Sequence, residues 1–124
     1  MKYLCLVYGE ERLLDALSKG DMQVLVDESL AYDDALRKSG HYLVSEALQS
    51  VETAKTVRVR HRDVLVTDGP FAETKEQLLG FILIEASDLD DAIQVAAKIP
   101  LAATGSIEVR PILQLEPLQM RRVG

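Results

Sequence analysis

The chain has 124 residues, is 48% apolar and 27% charged, and carries a formal net charge of −6 with a pI near 4.9. That length and apolar content suit one core in one domain, read here as residues 1–115 with 116–124 as a loosely ordered tail. A net acidic chain lacks the clustered Lys and Arg that phosphate backbones require, so no nucleic-acid partner is expected.

Residues 2–8 read as a strand apolar on both faces, which implies a central position covered on two sides. Cys5, the one cysteine, lies inside this run, so it can form no intrachain disulfide and reads as a small buried hydrophobe. The run is too short for a signal-peptide core, and nothing approaches membrane-spanning length, so a cytoplasmic protein without a membrane partner is expected.

Residues 10–19 place Leu13, Leu14 and Leu17 on one helical face, with Lys19-Gly20 as a stop. Asp21 then caps a second helix that turns Met22, Leu25, Val26, Tyr32 and Leu36 inward and ends at Ser39-Gly40. His41 follows, and residues 42–48 form a short strand with Glu46 near its end. His41 and His61 stand far apart with neither a Cys partner nor an H-x-x-x-H spacing, so no metal site is expected.

Residues 55–60 and 64–67 read as a hairpin turning through His61-Arg62-Asp63, with Val57 and Val59 facing Val64 and Val66. Arg58, Arg60, His61 and Arg62 alternate with valines and read as its solvated face rather than an anion site. Residues 67–76 form a built loop: Gly69 opens backbone angles closed to other residues, Pro70 fixes its own φ, and Asp68 can bond amides just downstream. Residues 78–85 are a second strand apolar on both faces. Ser87-Asp88-Leu89-Asp90 resembles a capping box that opens a helix with the stripe Leu89, Ala92, Ile93, Ala96 and Ala97, stopped at Ile99-Pro100. The last strand, residues 107–113, sets Ile107 and Val109 against Glu108 and Arg110, and Pro111 favours a sheet edge.

This order of elements is α+β and specifies a ferredoxin-like split βαβ architecture with an inserted β-hairpin. Its helices can cover only one sheet face, whereas two of its strands are apolar on both. A homodimer with sheets packed face to face is therefore expected.

The run Asp68-Gly69-Pro70-Phe71, followed by Glu73-Thr74-Lys75-Glu76, resembles the signature of the YCII-related, DGPF-domain family of small bacterial proteins. Weaker matches fall at Tyr8, Glu46, Leu48, Gly80, Pro100, Val109, Arg110 and Pro111, so the resemblance covers most of the chain. It implies a dimeric α+β barrel and a possible link to extracytoplasmic-function sigma factors, beside which such proteins are often encoded. Enzymatic members of the wider superfamily are associated with a His and Asp pair whose His lies in the long helix. Residues 26–32 contain no histidine, so that role passes to no residue here.

The polar groups that could collect near strand ends are Tyr8, Glu46, Asp68, Glu73, Lys75 and Arg110, with His41 and Phe71 beside them. Asp68 is a general-base candidate, against an ordinary Asx turn. Glu46 and Tyr8 could assist it, or be solvated and strand-typical respectively. Arg110 suits an anionic ligand or an internal pair with Glu46 or Asp68. Glu73 and Lys75 read as a solvated helical turn, and His41 as a surface residue with the pKa range for proton transfer. Two readings follow, neither needing a cofactor. One is a small-ligand-binding or regulatory module. The other is an acid-base enzyme of lyase or hydrolase type acting on a small polar or aromatic compound near Asp68.

Overall fold

A computed structural model describes residues 1–115; the proposed tail lies outside them. Strand β1 (Lys2–Gly9) leads through the short helix α1 (Glu11–Asp15) into the long helix α2 (Lys19–Ser39) and strand β2 (Tyr42–Ala47). The hairpin β3 (Lys55–Arg60) and β4 (Asp63–Asp68) follows, then β5 (Gln77–Glu85), α3 (Leu89–Ala97) and β6 (Ser106–Pro111). The main sheet has the order β2-β5-β1-β6 with every neighbouring pair antiparallel. Each βαβ unit thus has another strand between its own two, which is the ferredoxin-like split arrangement.

The doubly apolar strands are the two central ones, as their composition requires. Tyr3, Cys5 and Val7 of β1 and Ile82 and Ile84 of β5 point to the helices and pack with Leu36, Ala92, Val95, Ala96 and Ile99. The opposite face is ordered in cross-strand rows. Val44, Leu83, Leu4 and Arg110 form one; Glu46, Phe81, Leu6 and Glu108 form the next. Among the described residues no helix covers this face, and its central leucines and Phe81 are only half-buried.

Several boundaries move for physical reasons. Lys19-Gly20 does not stop a helix; it lies in the first turn of α2, whose N-cap is Ser18, accepting from the Asp21 amide at 3.0 Å. Asp21 is therefore an N3 residue beside the positive helix end rather than the cap. In α3 the cap is Asp88, one residue later than the motif suggested, accepting from the Asp91 amide at 2.8 Å. The buried face shifts with it to Ala92, Val95 and Ala96, leaving Leu89 and Ile93 nearly half exposed. Residues 73–76 form no helical turn; Glu73 and Thr74 are irregular and Lys75 and Glu76 form a bend.

The hairpin keeps the expected register, with Val57 opposite Val66 and Val59 opposite Val64. It turns through His61 and Arg62 alone, both at positive φ (50° and 69°). It forms a separate sheet from the main one. Gly69, at φ 91°, takes the backbone region its sequence position called for.

Candidate functional site

The expected polar residues do not converge within one copy of the chain. Asp68 ends β4 in the projecting hairpin, is 88% exposed, and pairs with Lys55 across the strand. Glu46 and Arg110 share the open sheet face but lie on its two edge strands, about 14 Å apart at ~4.8 Å per strand. Arg110 consequently pairs with neither Glu46 nor Asp68; its Nε lies 3.7 Å from Glu108 on its own strand. Tyr8 is on that face too, beyond a register shift at the end of β1. Lys75 reaches toward Glu10 at 3.8 Å, while Glu73 and Phe71 are exposed, Phe71 at 80%.

His41 is the expected residue with the most developed surroundings. Its Nδ1 lies 2.7 Å from Ser39 Oγ, and its Nε2 lies 3.0 and 3.1 Å from the two carboxylate oxygens of Asp91. Ser39 Oγ is also within 3.1 Å of the Leu36 carbonyl, and Asp91 accepts from the Ser87 amide at 3.0 Å. The Ser87 amide, and then His41, hold the Asp91 carboxyl below its ordinary range. A serine, a histidine and an aspartate in line suggest a nucleophile set. Here, however, they join the C-terminal end of α2 to the first turn of α3, and none of the three lines either of the clefts described next. Their visible work is to pin those two helix ends together.

The concave space lies on the other side of α2. The N-terminal half of that helix stands off the sheet, because Met22 and Leu25 are only half-buried and Val26 and Leu30 are exposed. Between it and strands β2 and β5 is a cleft of about 520 Å³, walled mainly by Met22, Leu25, Val26, Leu48, Leu79 and Ile82. A smaller cleft of about 280 Å³ lies between α1, α2 and the segment after α3, sharing Leu14, Leu25, Leu79, Pro100 and Leu101 with the first. Gly80 sits at the sheet side of the larger cleft, where a Cβ would come within 2.5 Å of the Glu46 carbonyl. Glycine there permits the tight β2 to β5 pairing that forms this wall.

The larger cleft has one polar end. Ser45 Oγ donates to Asp33 Oδ2 at 3.0 Å and lies 2.9 Å from the Tyr42 hydroxyl. Among the described residues, no hydrogen bond reaches Asp33 Oδ1. Tyr32 also lines the cleft, but its hydroxyl donates to the Val95 carbonyl at 2.6 Å, and burial raises its pKa. It therefore stays a neutral donor already in use. Of the expected residues only Glu46 touches this space, although its position in the strand belongs to the open face. Asp33 and Ser45 were missed because neither belongs to a motif. Their one sequence signal is polarity on an inward position of α2 and of β2.

The sequence profile described as the YCII-related domain matches residues 1–116. An uncharacterized protein of Rhizobium meliloti (strain 1021) is 37% identical over 119 residues, covering 94% of this chain and 96% of its own. With a full-length profile match, a similar full-length relative and the split βαβ sheet, the chain belongs to the YCII-related domain family.

Proposed function

We propose that this chain is a non-catalytic, cytoplasmic small-ligand-binding module that works as a homodimer and accepts its ligand in the cleft under α2. The observation that carries this reading is the cleft itself. About 520 Å³ of mainly apolar wall, with one polar end, falls within the usual size and make-up of small-molecule sites. Asp33 Oδ1 is an uncommitted acceptor at that end, so the ligand is a compact apolar body carrying one hydroxyl, amine or amide donor. Tyr8, Glu46, Asp68 and Arg110 are distributed over separate parts of one copy, which favours binding over acid-base turnover.

The homodimer part rests on the open sheet face, where Leu4, Leu6, Phe81 and Leu83 form a contiguous apolar centre. An isologous contact buries that centre once on each copy. A regulatory use, in which a transcription protein reads ligand occupancy, is compatible with this scheme. Recovery of such a protein with the tagged chain from its source cells would support that use.

Thermal-shift screening of small apolar compounds bearing one donor tests the binding reading. A hit raises the melting temperature of the wild-type chain. Ala47→Trp, which fills the cleft from the β2 side, abolishes that shift. Asp33→Asn weakens binding by about tenfold or more, through loss of a charge-assisted hydrogen bond. Hits unaffected by both substitutions would place binding elsewhere.

A further inference from the structure

The hairpin β3–β4 has no partner that its composition accounts for. Among the described residues, every hydrogen bond and ion pair of residues 55–68 stays within residues 54–69. Two strands without a backing layer are marginal in water. Yet Val57, Val59, Val64 and Val66 share one face and are 57% to 65% exposed, with Phe71 at 80% in the loop beyond.

The base of the hairpin is firmly held. Glu11 accepts from Ser50 Oγ at 2.9 Å and from the Val51 amide at 2.7 Å, fastening the incoming leg. The Glu11 amide donates to Gln77 Oε1 at 2.9 Å, and Gln77 Nε2 donates to the Thr74 carbonyl at 2.8 Å, fastening the outgoing one. An arm anchored on both legs and unsupported beyond them is directed away from its own body.

Charge identifies what it meets. Lys55, Arg58, Arg60 and Arg62 against Asp63 and Asp68 give residues 55–68 a net charge of +2, which leaves −8 on the rest of a chain totalling −6. His61 and Arg62 stand at left-handed positions that Asn-Gly would fill with less strain, so the tip keeps its basic side chains at a conformational cost. Arg58 and Arg60 lie on the face opposite the valines, so among the described residues the apolar face carries its free cation at the tip, in Arg62, and a net-positive arm with a basic tip complements the acidic body of the same chain.

We propose that this hairpin is an intermolecular arm, which lays its valine face and Phe71 on the body of a second copy of the chain. The arm rests on the homodimer reading and extends it, adding a reciprocal clasp to the sheet-face contact. It takes the exposed valines out of water, and its basic tip meets a body of opposite sign.

Hydrogen exchange of the full chain, at two concentrations either side of its dimer dissociation constant from sedimentation, tests this. Amides of residues 57–66 become protected at the higher concentration. In parallel, Val59→Asp combined with Val64→Asp weakens dimerisation by about tenfold or more, because charges enter an apolar contact. A wild-type chain that stays monomeric would overturn the homodimer reading and the arm with it. A dimer whose arm amides are unprotected, or protected equally at both concentrations, would overturn the arm alone. So would a dimer that the paired aspartates leave unchanged.

Discussion

Cys5 shows how far a single residue can be read from its sequence neighbours. An apolar run on both sides predicts a buried thiol, and Cys5 is fully buried, with desolvation pushing its pKa up to about 11. The native thiol should therefore resist a thiol-specific reagent at neutral pH and react only as the chain opens. Rapid stoichiometric reaction without denaturant would contradict this. Asp91 is the opposite case, since nothing in its sequence context marks it as the meeting point of His41 and Ser87. Its folded pKa is lowered, so its contribution to stability is present above the unfolded value of about 3.9 and is lost as pH falls through the folded one. Asp91→Asn should lower stability at neutral pH and flatten the acid limb of the stability profile. An unaltered acid midpoint would count against the pairing. Asp68, the strongest chemical candidate in the sequence, is an exposed cross-strand partner of Lys55, so Asp68→Asn should change stability by less than about 1 kcal/mol.

At the scale of elements, periodicity was legible and helix starts were less so. The central strands, the hairpin register and the edge position of β6 all follow from side-chain alternation and from Pro111. The start of α2 does not, because Ser18 and Asp21 are both good caps, and only the bond from the Asp21 amide to the Ser18 hydroxyl oxygen decides between them. Ser18→Ala should cost about 1 kcal/mol in denaturant unfolding, as removal of an N-cap does. A similar cost for Asp21→Ala with none for Ser18→Ala would restore the later start. The standing-off of the first half of α2 was illegible for another reason. Met22, Leu25 and Val26 have the spacing of a core stripe, and that pattern reads the same whether the stripe is packed tightly or lines a cleft.

At the scale of the whole molecule, three apolar surfaces remain uncovered by the described residues of one copy: the cleft under α2, the open sheet face and the valine face of the hairpin. The sequence disclosed the second through its doubly apolar strands, and showed the valines without showing that the hairpin would stand apart. The first suits a small ligand and the other two a second copy of the chain. Mapping the amide shifts of the isotope-labelled chain during titration with a thermal-shift hit bears on that assignment at once. Perturbations should concentrate on residues 22–33 and 45–48 around Asp33 and Ser45. Perturbations centred on Asp68 and the loop 67–76 would contradict the cleft and return the site to the signature loop.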